Sequence, residues 1–370
     1  MTQHAPLSPS SAARWVKCPA SVSLSAAIPE DDESESSEEG TLAHAVAAAV
    51  LQGGVLPTDG VTEEMLDGVE VYFDDVAKVK QLVGRDDLLV VEQHVDNSII
   101  STSNHGTPDA WMLGSSTQVA DVWLWDYKFG HRQVEVFENW QLINYAILIY
   151  ANLKAENNAA DIVHFHLRVV QPRAFHPDGV VREWVVSSDQ LRPYAVKLQE
   201  AAQLALSPEP KAVINPECRD CKARHVCNEL QSAGYAAVQY ASVGLPIEMS
   251  PEASAIELAL MQDAADVLKA RISGKEQEII QHLKLGTAVK GWSLERGTGR
   301  KRWTGTFDEI TALSDMLGVE VRKTSLITPT QAIKAGIPES VVAGYSETPS
   351  GEIKLMRDNG ALQRKVFNHV

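Results

Sequence analysis

The sequence predicts an α/β fold, with a central mixed sheet flanked by helices and an additional, mostly helical C-terminal region. Apolar residues recur with a helical period before about residue 85, and the pattern then changes to strand-like runs between residues 88 and 128. A long helical pattern and a further pair of strand-like runs follow. This order is the one expected for a mixed sheet with helices on its faces.

The predicted elements follow one another in a regular order. The first substantial helix opens at Gly40 and ends near Gln52, before a Gly-Gly pair. Just before it, residues 30–39 are all Glu, Asp or Ser, which is typical of a solvated loop. Further helices are expected at about 62–82, 137–153, 188–205 and 251–284, and strands at 88–95, 107–113, 119–128, 162–170 and 180–186.

The length of the chain predicts more than one structural unit. Its 370 residues exceed the roughly 150 residues of an average domain. The sequence changes character after Cys227, so we expect a first domain at 1–235 and a C-terminal accessory region at 236–370, the latter available for DNA or partner contacts.

Composition and charge narrow the class of protein. The net charge of −16 argues against a protein that coats nucleic acid by charge alone, although it allows an enzyme with a local basic groove. The sequence contains no run of about 18–20 apolar residues of the kind that spans a membrane. The first 22 residues lack the apolar segment of a secretory signal. We therefore expect a cytoplasmic protein with no membrane contact.

Two acidic side chains and a lysine mark the most informative stretch. Asp109 stands at one predicted strand, and Asp126 and Lys128 stand two apart at the end of the next, so that both project to one face. Two carboxylates beside a lysine suit Mg²⁺ or Mn²⁺, which can polarise a phosphodiester and activate a bound water. The backbone carbonyl of Tyr127 is a further candidate ligand, and Lys128 is a candidate to orient that water.

Three more residues fit this site. His44 lies on the first long helix and is a candidate third metal ligand, the alternative being an ordinary structural histidine. Gln141 and Tyr145 are four apart on the helix after the Asp-Tyr-Lys strand and therefore share a face. They are candidates to hydrogen-bond the metal site or a phosphate. Otherwise, Tyr145 belongs to the core and Gln141 to the surface.

The four cysteines form a second constellation. Three lie close together and one lies far upstream: Cys218, Cys221, Cys227 and Cys18. In a reducing compartment such clustering points to a metal rather than to disulfides. A one-plus-three division suits a 4Fe–4S cluster better than zinc, but a zinc site that includes His225 stays open. Either group would staple the N-terminal segment to the end of the first domain.

The C-terminal region offers weaker signals. Its most basic stretch contains Arg300, Lys301, Arg302 and Trp303, which could follow a DNA backbone and stack a base; the alternative is a hairpin with a solvated tip. The helix at 251–284 is a candidate arm for oligomerisation, so a homo-oligomer is one expectation, or for clamping DNA. Simple packing against the first domain is the alternative.

Together these motifs resemble the RecB-type branch of the PD-(D/E)XK nuclease superfamily over roughly residues 8–230. The matching pieces are His44, the Gly106-Thr107-Pro108-Asp109 segment, Asp126-Tyr127-Lys128, and Gln141 with Tyr145. The one-plus-three cysteines, the opening Ser8-Pro9-Ser10-Ser11 and the Cys18-Pro19 pair resemble the iron–sulfur subset of that branch, which includes AddB.

The resemblance implies a restriction-endonuclease-like core and a metal-dependent DNA nuclease, most simply an exonuclease. It implies Mg²⁺ or Mn²⁺ and a 4Fe–4S cluster as cofactors, and DNA as partner. Because no helicase motif is present, it implies a stand-alone enzyme of phage-type recombination, of the kind found beside a single-strand annealing protein. Two alternatives stay open: an inactive DNA-binding or scaffold protein of the same fold, and a zinc-stapled RNA-processing enzyme.

Overall fold

A computed structural model describes residues 5–28, 35–241 and 249–294, together with Arg364. The basic stretch at Arg300, Lys301, Arg302 and Trp303 lies outside these residues. The chain divides into two compact units, residues 1–287 and 288–370. The division falls later than the boundary that the sequence suggested near residue 235, since the helix at 251–284 groups with the first unit.

The first unit is built on a five-stranded sheet, as the sequence predicted. Its strand order is β1-β4-β5-β6-β7, and only the β5–β6 pair is parallel. A separate two-stranded ladder joins β2 to β3. The strands are β1 (Leu89–Val91), β2 (Val95–Asp96), β3 (His105–Gly106), β4 (Ala110–Leu113), β5 (Val119–Tyr127), β6 (Ala159–Val170) and β7 (Val181–Ser187).

Helices cover both faces of this sheet, so the prediction of a mixed sheet flanked by helices is confirmed. The α-helices in the described ranges are α1 (Ala12–Lys17), α2 (Ser21–Ala26), α3 (Glu35–Gln52), α4 (Glu63–Val83), α5 (Trp140–Ala155), α6 (Ser188–Ala205), α7 (Asn228–Ala241) and α8 (Pro251–Lys284). None of them is long and apolar enough to cross a bilayer.

Alternation along the strands divides the core into two layers. On β5, Val122 and Leu124 face a layer formed with α1, α5 and α6. Trp123, Trp125 and Tyr127 face the opposite layer, formed with α3 and α4. Successive side chains of a strand point to opposite faces, which is why the apolar run on β5 is continuous and both layers are anchored by the same strand.

Two predicted boundaries were wrong. The expected strand at 88–95 is two short strands in different sheets, because Glu92 has a φ of +50° and turns the chain out of the extended conformation. The acidic run was expected to be a loop, but α3 already begins at Glu35. Acidic side chains are favourable in the first turn of a helix, which explains why this part of the run is helical.

Helix α8 packs against α7 and against the turns that carry the cysteines. Gly274 lies so close to this segment that a Cβ atom there would be 3.0 Å from the backbone of Arg224 and His225. Next to it, Arg271 donates hydrogen bonds to the carbonyls of His225 (2.8 Å) and Arg224 (3.3 Å). Close backbone packing at Gly274 therefore fixes α8 on the cysteine-bearing turns.

We predict that Gly274→Ala lowers the free energy of unfolding by about 1–3 kcal/mol, because the new methyl group overpacks against backbone that cannot rotate away. The matched control is Gly234→Ala on α7, where a Cβ atom would meet only the Arg271 side chain, at 3.5 Å. That substitution should stabilise the protein by about 0.5–1 kcal/mol, as is usual for glycine inside a helix. Urea denaturation measures both, and a gain in both variants would contradict the close packing of α8.

Candidate functional site

Asp109 connects three elements at one end of the sheet. It lies immediately before β4, and its Oδ1 atom is 3.1 Å from Nδ1 of His44 on α3. Its other oxygen accepts a hydrogen bond of 2.7 Å from the backbone amide of Tyr127, the last residue of β5. Both carboxylate oxygens are thus engaged, and α3, β4 and β5 meet at this side chain.

Asp126 and Lys128 form a second pair beside the first. The Lys128 ammonium lies 2.8 Å from Oδ1 of Asp126, and the side chain of Gln141 donates to the same oxygen at 2.7 Å. Lys128 also donates to the Gln141 side-chain oxygen, at 3.3 Å. Asp126 is only 2% exposed, and its Oδ2 atom is buried without a hydrogen-bond partner. Such an orphaned carboxylate oxygen is costly unless a ligand completes it.

The helix α5 places Gln141 and Tyr145 at this site. Asn139 caps the helix by accepting hydrogen bonds from the amides of Gln141 and Leu142, so Gln141 stands in the first turn, facing the end of β5. One turn later, the Tyr145 hydroxyl donates to the carbonyl of Thr107 at 3.0 Å, two residues before Asp109. Tyr145 is buried in the core, as one alternative held, and its hydroxyl also positions the segment that carries the carboxylate.

Glu92 is a site residue that the sequence reasoning missed. Its backbone amide donates to the carbonyl of Asp109 at 3.1 Å. Ligand atoms of His44, Glu92 and Asp109 all lie within 4.8 Å of one another, and this is the only such group of three in the described ranges. The sequence predicted that His44, Asp109 and Asp126 would form the metal-binding group. Within 4.8 Å, His44 and Asp109 are instead grouped with Glu92.

The sequence contained a signal for Glu92. A single carboxylate interrupts the apolar run Leu88–Val91, and Val91 pairs with Ala110 in the sheet, which brings the following residue next to Asp109. Because the strand was expected to continue to Val95, the end of the run was not recognised. A left-handed backbone at a residue other than glycine is strained and is found preferentially at functional sites.

Burial and neighbouring charges set the protonation states at this site. Burial opposes ionisation of Asp109, but the charge of His44 outweighs it and lowers the pKa of the Asp109 carboxyl. Burial raises the pKa of Asp126, which Lys128 offsets only in part. Glu92 is exposed at the surface, yet partial desolvation of its carboxyl and the adjacent Asp109 raise its pKa to about 7. Asp109, Asp126 and Glu92 thus bring three carboxylates into one desolvated site. Such an environment favours a divalent cation.

Aromatic rings complete the wall behind His44. The ring of Tyr127 stacks on Tyr72 of α4, with centroids 5.1 Å apart, and meets the edge of the His44 ring at 5.6 Å. These contacts limit the rotation of the imidazole and hold its Nδ1 atom toward Asp109. The carbonyl of Tyr127 as a ligand stays a prediction.

The four cysteines line a single pocket between the N-terminal helices and the segment at 211–227, here called the cysteine loop. The pocket is lined by Cys18, Ser21, Leu24, Ala212, Val213, Ile214, Cys218, Cys221, Arg224, Cys227 and Leu230. Three backbone amides point at sulfur atoms: Val213 at Cys18 (3.4 Å), Asn215 at Cys218 (3.5 Å) and Leu230 at Cys227 (3.5 Å). Amide donors of this kind stabilise thiolates that bind a metal.

The spacing of the sulfur atoms bears on which metal fits. No three of the four Sγ atoms lie within 4.8 Å of one another, since the described residues contain only one group that meets this criterion. Tetrahedral zinc with Zn–S bonds of about 2.3 Å needs its sulfurs about 3.8 Å apart. His225 does not line the pocket, and its Nδ1 atom lies 3.2 Å from the carbonyl of Lys222.

We predict that Glu92→Gln stabilises the protein in EDTA at high pH but not at low pH. Because the carboxyl has a higher pKa in the folded state, its ionisation costs stability as the pH rises from about 4.5 to 7. The variant lacks this cost, so above pH 7 its free energy of unfolding should exceed that of the wild type by about 1–2 kcal/mol, after allowance for solvent screening. Below pH 4.5 the difference should vanish.

The control for this experiment is Glu156→Gln, at the exposed C-terminal end of α5. Denaturant titrations at several pH values measure all three proteins. If Glu92→Gln and Glu156→Gln depend on pH in the same way, Glu92 is not held beside Asp109. Adding Mn²⁺ should reverse the ranking, because a bound ion stabilises the wild type more than the glutamine variant.

Comparison with protein families assigns most of the chain to one family. The model of the family described as "Protein of unknown function (DUF2800)" matches residues 4–358, which include the site around Asp109 and all four cysteines. The chain therefore belongs to the DUF2800 family.

Proposed function

We propose that this protein is a metal-dependent DNA nuclease of the PD-(D/E)XK class, related to its RecB-type branch. The observation that carries the proposal is the meeting of two charged pairs, His44 with Asp109 and Lys128 with Asp126, at the ends of adjacent strands. The lysine beside a carboxylate provides a cation for the phosphate, and the remaining acidic oxygens provide ligands for a metal.

The donors fit a hard divalent cation. His44, Glu92 and Asp109 supply one nitrogen and two carboxylates within a small volume, and Asp126 adds the buried Oδ2 atom that has no other partner. We propose these four residues as the ligands of Mg²⁺ or Mn²⁺. When bound, such an ion polarises a phosphodiester and lowers the pKa of a water molecule.

The other site residues act on the reaction through position and charge. The Lys128 ammonium is anchored by both Asp126 and Gln141, so it is oriented before any substrate arrives and can stabilise negative charge that develops on the phosphate. Gln141 donates to the same oxygen of Asp126 that Lys128 contacts, and so helps to fix the carboxylate. Tyr145 holds the chain at Thr107 and acts as a positioning residue for Asp109.

We also propose that the cysteine pocket holds a 4Fe–4S cluster. Four thiolates match its ligand number, and the division into one upstream and three clustered cysteines suits it. The amide donors to three of the sulfurs support a bound group that keeps the thiols ionised, whereas burial alone raises the pKa of Cys18 and Cys218.

For the nuclease, we predict that Lys128→Ala and Asp109→Ala each lower the rate of DNA degradation by about 100-fold or more, because each removes stabilisation of the transition state or of the metal. End-labelled linear, circular and single-stranded DNA with Mg²⁺ and with Mn²⁺ are the substrates. The matched control is Lys154→Ala, an exposed lysine at the far end of the helix that carries Gln141.

Circular dichroism confirms that each variant is folded. Wild-type activity that survives in both site variants would refute the site. DNA binding without cleavage under either metal would favour a scaffold protein of the same fold, and cleavage restricted to RNA would favour an RNA-processing enzyme.

For the cluster, we predict that anaerobically purified protein is brown and contains about four iron and four sulfide per chain. Cys18→Ser should lose most of the iron, since it removes the one ligand that the N-terminal segment supplies. Ser21→Ala, which changes the same pocket without removing a thiolate, should keep it. Iron, sulfide and zinc analysis measures the outcome, and a colourless protein with one zinc per chain would contradict the assignment.

A further inference from the structure

Positive charge is concentrated around the cysteine loop of this acidic protein. The cysteine loop carries four Lys or Arg and two acidic residues, and residues 5–28 carry Arg14 and Lys17 and no acidic residue. The stretch at 128–134, which begins at the candidate catalytic lysine, likewise has two basic residues and no acidic one. These segments are therefore basic in a chain whose net charge is −16.

These three segments are in contact. Arg14 donates to the carbonyl of Asp220 at 2.8 Å, and Lys17 pairs with Glu217 at 2.9 Å. Arg132 pairs with the carboxylate of Asp220. The two acidic residues of the loop therefore already have cationic partners. The result is a surplus of positive charge on these three adjoining segments, here called the basic patch: Arg14, Lys17, Arg132, Lys211, Arg219 and Lys222.

The basic patch is connected to the metal site by two short segments. On one side, Pro9 lies against Gly106, where a Cβ atom would be 3.0 Å from Pro9 Cδ and 2.9 Å from the Tyr145 hydroxyl. A 3-10 turn at Pro9–Ser11 and then the helix α1 lead from Pro9 to Lys17, about 13 Å at roughly 2.0 and 1.5 Å per residue respectively. On the other side, Arg132 follows Lys128 by four residues. Short chain segments thus join the basic patch to the metal site on both sides, so that one nucleic-acid strand can contact both.

We propose that the basic patch binds the sugar–phosphate backbone of the DNA strand whose phosphodiester lies at the metal site. The proposal rests on the proposed nuclease function and adds the path of its substrate. Five of the six residues are exposed, the exception being Arg14, as suits contacts to phosphates that do not read sequence. The cluster proposed for the cysteine pocket then also contributes to DNA binding, because it fixes the cysteine loop, which carries Arg219 and Lys222.

The test is the salt dependence of DNA affinity. Fluorescence anisotropy with a labelled oligonucleotide of about 20 nucleotides, in EDTA to prevent cleavage, gives the Kd between about 50 and 200 mM salt. The variant is Arg132→Gln/Lys211→Gln, whose positions lie outside the Cys218–Cys227 segment. For two lost phosphate contacts, the slope of log K against log salt should become shallower by about 1.4, and affinity should fall several-fold at low salt.

A second variant, Arg219→Gln/Lys222→Gln, should give the same change, with iron content measured to confirm that the cysteine loop is intact. The matched control is Lys154→Gln/Lys197→Gln, two exposed lysines on α5 and α6. Its slope and affinity should equal those of the wild type. If the patch variants bind like the wild type, if the control variant weakens equally, or if the wild type binds without salt dependence, the proposal is wrong.

Cleavage of thymidine 5′-(p-nitrophenyl phosphate) by the wild type separates this proposal from the nuclease assignment. That small diester reaches the metal site without covering the basic patch. If it is cleaved while the patch variants keep their DNA affinity, only the path of the strand is refuted. If neither this diester nor DNA is cleaved, while DNA binding changes as expected, the patch binds nucleic acid but the nuclease assignment fails.

Discussion

The carboxylate of Asp109 is the interaction on which the rest of the site depends. One oxygen faces the imidazole of His44 on α3, and the other accepts the amide of Tyr127 at the end of β5. A single side chain therefore sets the distance between a helix and the central strand. Because Asp126 and Lys128 flank Tyr127 in sequence, the same hydrogen bond also places the second charged pair.

Several parts of the chain fix Asp109 in turn. Tyr145 hydrogen-bonds the carbonyl of Thr107, and Gly106 leaves room for that ring only because it lacks a side chain. Pro9 packs against the same glycine, which draws the N-terminal segment into the site. From there α1 leads to the cysteine pocket, and α8 holds the other wall of that pocket through Gly274. The charged centre and the cysteines are thus parts of one connected scaffold.

Much of this could be predicted from local sequence. The strands at 119–127 and 181–187 and the helix at 251–284 begin and end within a residue or two of the predicted bounds, because their periodicity and their ends are both clear. The pairing of Asp126 with Lys128 follows from strand alternation alone. What periodicity could not provide was the turn at Glu92, since a positive φ at a glutamate reflects tertiary contacts with Asp109 rather than a local preference. The early start of α3 has a local cause in its acidic side chains, and Glu39 adds a tertiary contact, an ion pair with the distant Arg173.

The central claim is that the side chains around Asp109 bind one divalent ion. Anomalous diffraction from crystals soaked in Mn²⁺ tests it most directly, because manganese is located independently of any assay of activity. The account predicts a single strong anomalous peak within about 2.0–2.4 Å of Asp109 and His44 ligand atoms, with Asp126 or Glu92 completing the protein ligands. An ordered site in which His44 still pairs with Asp109, with no manganese beside either residue, would contradict it.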